Sequence, residues 1–380
     1  MNIDTIKGFK DFVGEEGTKF SVIREMARQV FERYNFEEVQ TPVIEREEFV
    51  RGDKVQANDE VISDIFTLQD KGKRKLALRY EFTFQLKRIA QNKKLPYKRF
   101  QIGPVFRDEP ISGNRLRQFT QCDVDVIGST IKEEAEILSI MKQILGTLKI
   151  KSVIYVNNRK LLNEILNEVG VENNPEVIGE IDKMDKLSEK EIKENLKKFG
   201  AEEVFGILKK PESYFKKYKA YSEVAELKKL CKNYGFEIKF SPSLARGLSY
   251  YIGNVFEIKS DIKETICGGG SYMVAGQPAT GISFSIERMM AVTKMQIEIE
   301  KYLIVSLGED KKAIDLAKKL RIQGKNVSVF YGKPSKALEY ANSYKIKKVI
   351  FVGEKEVKEK VFRIKNMITG RSVKLVLKKS

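Results

Sequence analysis

The 380-residue chain contains no histidine, no tryptophan and only 3 cysteines. Without histidine there is no imidazole base, nucleophile or metal ligand, which excludes Ser-His-Asp chemistry and His-rich zinc sites. Cys122, Cys231 and Cys267 are odd in number, far apart and form no CxxC pair. Neither a disulfide framework nor a thiolate zinc site is expected, and a reducing compartment is. Any metal is expected to be a hard cation held by carboxylates and phosphates. Long apolar runs are missing too. None approaches the roughly 18 residues of a membrane helix, and the start, MNIDTIKGFKDF, has no apolar signal core. The 42% apolar content fits a soluble protein, the length fits two or three domains, and the cysteine usage fits the cytoplasm.

What is abundant is positive charge, and it is unevenly spread. Residues 301–380 hold 21 Lys and Arg against 7 Asp and Glu, so +14 of the chain's net +17 sits in the last 80 residues. A basic small domain on a near-neutral body is the footprint of a phosphate-backbone partner.

Periodicity gives a coarse organisation. Phe20, Ile23, Ala27, Val30, Phe31 and Tyr34 recur at helical spacing and predict a helix over 15–35. A strand carrying Pro42 is expected over 38–44, at an edge or a subunit contact. Residues 75–84 alternate and read as a strand leading into a helix at 84–92. Two more strands are expected at 98–107 and 118–127, joined by a long polar loop over 108–117. The stretch 150–235 is Lys/Glu/Asn-rich with helical patterning and reads as a helical insertion. Strands return at 255–258 and 281–286, and a helix begins near Ile286. Beyond a linker at 296–300, strands and helices alternate, which predicts a parallel sheet covered by helices. A hairpin of 361–367 and 373–377 closes it.

Within these elements some side chains are costly unless they act. Gln121, Asp123 and Asp125 share one face of a strand whose other face is Cys122, Val124 and Val126. That face is either solvated or the floor of a pocket for a cationic or hydrogen-bonding ligand. Arg79, Glu81 and Thr83 likewise stand two apart. Arg107, Arg115 and Arg117 surround the long loop, Arg246 precedes a glycine, and Arg288 opens a helix. Guanidinium is the favoured group for clamping phosphate.

Phe106-Arg107-Asp108-Glu109, followed by a loop and Arg117-Gln118-Phe119, resembles motif 2 of class II aminoacyl-tRNA synthetases. The run from Gly281 to Glu287-Arg288 resembles motif 3, and Thr41-Pro42-Val43-Ile44-Glu45 resembles motif 1. Leu244 to Tyr251, with Arg246 and Gly247 inside it, and Cys267 to Tyr272 are similar to the two histidine-specific signatures of histidyl-tRNA synthetases. Leu78 to Thr83 and Gln121 to Asp125 are similar to the archaeal and eukaryotic branch of that family. Ser249, Ser271 and Met273 depart from the family's usual Asp, Arg and Asp.

The resemblance implies an α+β class II core, an antiparallel sheet flanked by helices, with a helical insertion and a C-terminal α/β anticodon-binding domain. The implied bounds are 1–150 and 236–297 for the core, 151–235 for the insertion and 301–380 for the last domain. It implies a histidine–tRNA ligase using ATP with Mg²⁺, its partners being histidine, tRNA(His) and a second copy through the Pro42 region. It implies that Arg107, Arg246 and Arg288 are catalytic, and that Arg107, Glu109, Arg115, Phe119 and Arg288 bind ATP. Glu81, Thr83, Gln121, Asp125, Tyr250, Tyr251 and Gly269 would bind histidine, with no protein side chain assigned to the metal. Two other readings stay open: a non-catalytic paralogue serving as a regulatory or binding subunit, and a class II synthetase for another amino acid.

Overall fold

The computed structural model describes residues 2–51, 64–111, 115–171, 174–184, 187–245, 250–262 and 264–376. The chain forms two compact units, Met1–Met295 and Gln296–Ser380.

The first unit is built on a sheet of eight strands. They are β1 (Glu37–Glu38), β5 (Tyr97–Phe106), β6 (Gln118–Ile127), β11 (Gln277–Ser285), β10 (Cys267–Val274), β9 (Asn254–Lys259), β7 (Val153–Asn158) and β8 (Lys239–Phe240), in that spatial order. All neighbours are antiparallel except the two edge pairs, β1 with β5 and β7 with β8. A small separate sheet joins β2 (Ile44–Arg46), β4 (Lys75–Leu78) and β3 (Thr67–Gln69). Helix Gly14–Arg33 buries Ile23, Ala27, Val30 and Phe31. Phe31 packs 5.1 Å from the Phe100 ring of β5. Helix Ile131–Thr147 starts at Thr130, whose side chain and Glu133 form a reciprocal cap. It buries seven apolar residues and Glu134. One face of the sheet is thus covered by helices, and the other carries the polar residues.

Three expectations need correction. The strand over 38–44 is broken: β1 ends at Glu38 and β2 begins at Ile44, with Pro42 between them. Proline has no N–H to continue a ladder. The strand over 75–84 stops at Leu78, and the following helix is only Leu86–Ile89. The chain turns there because buried Arg79 donates to the carbonyls of Thr41 and Pro104, each at 2.7 Å, and draws the segment across β5. Third, the stretch assigned to a helical insertion opens with β7, a strand of the main sheet. Helix Tyr221–Asn233, at its far end, packs back on helix Ile131–Thr147. Between these lie helices Arg159–Glu168, Pro175–Asp182, Glu189–Lys197 and Glu202–Leu208.

In the second unit, β12 (Lys301–Ser306) pairs in parallel with β13 (Asn326–Tyr331) and with β14 (Lys348–Val352). The antiparallel β15 (Arg363–Asn366) and β16 (Ser372–Lys374) complete the sheet. Helix Asp310–Ile322 covers one face through Ala313, Leu316, Ala317 and Leu320. Helix Pro334–Ser343 covers the other through Ala337 and Ala341. A further helix, Glu354–Glu359, has no counterpart in the sequence reading.

Candidate active site

Register decides which side chains meet. β5 and β6 pair Arg99 with Asp125, Gln101 with Asp123 and Gly103 with Gln121. β6 and β11 pair Asp125 with Gly281, Asp123 with Ser283 and Gln121 with Ser285. Alternation therefore lays rows of polar and small residues across one face of the sheet. That face floors a cavity of about 1020 Å³. Of the two readings of the Gln121, Asp123, Asp125 face, the pocket floor is the one observed: each is only 4% exposed.

One end of the cavity is cationic. Arg107 donates to Gln121 Oε1 at 3.2 Å, and its guanidinium lies 4.3 Å from the Tyr80 ring centre and 5.1 Å from that of Phe119. Glu109 sits between Arg107 and Arg115, at 3.8 and 3.4 Å. Arg288 follows Ser285, whose hydroxyl caps the helix Ile286–Val292 by accepting from the Arg288 N–H. The Arg288 side chain donates to the Thr265 carbonyl at 2.9 Å. Burial lowers the Arg288 pKa, and the nearby positive charges of Arg115 and Arg107 lower it further. Arg107 and Arg115 are thus close enough to Arg288 to repel it, an arrangement that an anion relieves. Beside them Glu287 accepts from the Thr120 N–H at 2.8 Å, and burial raises its carboxyl to about 7.

The other end is anionic, and its carboxylates are buried. Glu81 is buried, which raises its pKa to about 7 against the opposing pull of Arg107. The Tyr250 hydroxyl donates to its Oε2 at 3.4 Å, while Oε1 finds no hydrogen-bond partner among the described residues. Asp123 accepts from Gln121 Nε2 at 2.8 Å, and burial and then Asp125 raise its pKa well above the usual range. Asp125 lies 2.7 Å from Arg99 Nη2 and accepts a hydrogen bond from the Tyr272 hydroxyl. Tyr250 packs against Tyr251 and Tyr272, with ring centres 4.7 and 5.6 Å away. Thr83 and Tyr251 complete this wall, and Ile181 and Asp182 approach from the helix Pro175–Asp182.

The residues named from the sequence thus gather in one cavity, with two exceptions. Gly269 is on the wrong face. In β10, Gly268, Gly270 and Tyr272 point to the cavity side, while Gly269 and Ser271 point toward helix Ile131–Thr147, where Ser271 donates to Glu134 Oε1. A Cβ at Gly269 would stand 2.1 Å from the Gly281 carbonyl and 2.7 Å from the Phe256 ring, so close packing accounts for this glycine. Gly268 and Gly281 are the glycines of that motif pair that line the cavity. Arg246, with Ser249, lies outside the described residues. Met273 is exposed, away from the cavity lining.

The sequence reading left out Arg99, Ser283 and Glu287. Parity along β5, matched to β6, is the signal that could have found Arg99.

The profile of the histidyl-tRNA synthetase family matches residues 8–289, and that of the anticodon-binding domain matches residues 301–379. A histidine–tRNA ligase from Bacillus cereus is 32% identical over 99% of this chain and 96% of its own length. The chain belongs to the histidyl-tRNA synthetase family. A histidine–tRNA ligase from Pyrococcus horikoshii is 31% identical over 99% of this chain and 97% of its own. The fold is that of the crystal structure of histidyl-tRNA synthetase from Nostoc sp. PCC 7120, with a TM-score of 0.85, 23% identity and coverage of 99% and 97% of the two chains. A structure from Bacillus halodurans titled as an ATP phosphoribosyltransferase regulatory subunit/histidyl-tRNA synthetase matches with a TM-score of 0.76 and 20% identity, over 92% of this chain and 98% of its own. Family membership makes the first unit a synthetase catalytic domain and the second an anticodon-binding domain.

Proposed function

We propose that the two-ended cavity performs the family's reaction, histidine–tRNA ligation, with ATP at the guanidinium end and histidine at the carboxylate end. The observation that carries this reading is the charge separation: Arg107, Arg115 and Arg288 crowd one end, and Glu81, Asp123 and Asp125 line the other. In the first step a histidine carboxylate oxygen attacks the α-phosphorus, a new P–O bond forms and pyrophosphate leaves. In the second, a hydroxyl of the terminal ribose of tRNA attacks the acyl carbon and AMP leaves. The first step needs positioning and charge neutralisation more than an acid or base, which suits a chain without histidine.

Arg107 holds the α-phosphate, and the role given to Arg246 is to stabilise charge that develops in the transition state. Arg115 and Arg288 take the distal phosphates. Glu109 reads the adenine amino group, and Phe119 stacks on the base. Glu81, Thr83 and Gln121 bind the α-ammonium. Asp125 accepts from one imidazole nitrogen and Tyr251 donates to the other, which matches the one donor and one acceptor of neutral imidazole. Among the described residues no three carboxylates or thiols converge to chelate a metal. Mg²⁺ would be brought to the guanidinium end with ATP, where it would neutralise phosphate charge.

The Pro42 segment forms a twofold contact with a second copy; Val43 and Ile44 beside it are exposed apolar side chains. The +14 tail binds tRNA(His), and the enzyme works in the cytoplasm, its three cysteines reduced. A non-catalytic subunit would have no use for three converging guanidiniums. The test is amino-acid-dependent ATP–pyrophosphate exchange across all twenty amino acids. Exchange with histidine alone is expected, and exchange with another amino acid or none would overturn the reading.

A further inference from the structure

The roles assigned above make no use of the fully buried cation that pairs with Asp125 of the cavity lining. Arg99 is 0% exposed and stands on β5 directly opposite Asp125 of β6. Its Nη2 reaches Asp125 Oδ2 at 2.7 Å and the Phe82 carbonyl at 3.3 Å. Among the described residues its Nε and Nη1 find no hydrogen-bond partner. A buried guanidinium satisfied on one nitrogen is a poor stabilising device, and an apolar pair of the same volume is usually better. Folding alone therefore gives no reason for it.

The geometry around it gives one. Asp125 is held on one side by Arg99 and on the other by the Tyr272 hydroxyl. Gly281 across the ladder leaves room for the carboxylate, since a Cβ there would stand 2.0 Å from Asp125 Oδ1. Burial drives the Asp125 pKa up, and Arg99 is the main opposing influence. The Phe82 carbonyl belongs to the segment that carries Glu81 and Thr83. A single guanidinium thereby bridges the two walls that face the amino acid.

We propose that Arg99 is a positioning residue for the amino-acid substrate, fixing the Asp125 carboxylate at a set distance from the Glu81–Thr83 segment so that one rigid frame reads both imidazole and α-ammonium. This rests on the reading of the carboxylate end as the histidine site. Arg99 itself touches no substrate and acts through Asp125.

The experiment compares Arg99→Leu, Arg99→Lys, Asp125→Asn and the double variant Arg99→Leu/Asp125→Asn by pyrophosphate exchange, with thermal unfolding as the control. Arg99→Leu is expected to raise the histidine KM about tenfold to a hundredfold, with the ATP KM held within about twofold. Arg99→Lys should recover part of the loss. The double variant should match Asp125→Asn alone, because Arg99 has nothing left to position. It also pairs two neutral groups, so it keeps the comparison open if Arg99→Leu alone does not fold. An unchanged histidine KM in Arg99→Leu overturns the proposal, as does a double variant whose loss is the product of the two single losses. An equal rise in ATP and histidine KM would assign Arg99 to the fold alone. If Asp125→Asn leaves the histidine KM unchanged, the histidine-site reading fails first and takes this inference with it.

Discussion

The two ends of the cavity solve opposite electrostatic problems by opposite means. The guanidinium end is partly open, with the Arg107 and Arg115 side chains 27% and 49% exposed. Water screens their repulsion until a polyanion arrives. The carboxylate end is closed: Asp125 is 5% exposed on its side chain and Arg99 is 0%. There the carboxylates are held by an internal guanidinium, tyrosine hydroxyls and raised proton affinity. The difference separates affinity from discrimination. A flexible, solvated cluster suits a ligand recognised by charge. A buried frame suits one recognised by two ring nitrogens, because a mismatched ligand leaves buried polar groups unpaired.

The largest effect should come from breaking the open end. Arg107→Ala removes a guanidinium that bridges the Gln121 amide and the Tyr80 and Phe119 rings. Adenylate formation is expected to fall by about 10²–10³-fold with a near-native circular dichroism spectrum. Near-normal pyrophosphate exchange would remove Arg107 from the reacting centre.

Removing residues 301–380 tests the same division on the scale of the whole chain. Histidine activation should be largely retained, because the cavity lies wholly within Met1–Met295. Charging of tRNA should collapse. In the full chain the tRNA KM should climb steeply between low and physiological salt through counterion release. A truncated chain that charges tRNA as well as the full one would give the basic unit another role.

The smallest effect compares Asp125 with a second buried carboxylate on the opposite face of the same sheet. Glu134 has neutral donors, the Ser271 hydroxyl and Asn254 Nδ2, where Asp125 has a guanidinium. Burial raises the Glu134 pKa from 4.5 to about 7. A raised folded-state pKa means the native state binds more protons between those values. Its stabilising contribution is therefore complete below about 4.5 and lost as pH rises through about 7. Glu134→Gln should flatten that decline by about 1–3 kcal/mol, read from urea unfolding at pH 5 and pH 8. An unaltered slope would show that the carboxylate is not the group that titrates.

Much of this was legible in the sequence because alternation and motif order are local. The strands at 98–107 and 118–127 formed within a residue of expectation, and the Gln121, Asp123, Asp125 face follows from period two alone. What was hidden depends on register. Lys98-Arg99 reads as an ordinary surface pair, and only the pairing of β5 with β6 sets Arg99 against Asp125. Gly269 sits in a run of three glycines, where no side chain marks which face is which, and a one-residue parity error moves it across the sheet. The alternation over 75–84 suggested a strand, but long-range bonds from Arg79 to Thr41 and Pro104 bend the chain, and no local pattern records them. Residues 153–158 lie beside a stretch rich in Lys and Glu, which hides that Val-Ile-Tyr-Val is strand-like by itself.

Separate binding isotherms for histidine and ATP on Glu81→Gln bear most directly on the two-ended cavity. The substitution keeps the shape of the side chain and removes the charge of a buried carboxylate. Histidine affinity is expected to weaken by about tenfold to a hundredfold while ATP affinity stays within about twofold. Equal weakening of both, or unchanged histidine binding, would contradict the separation of the cavity into a phosphate end and an amino-acid end.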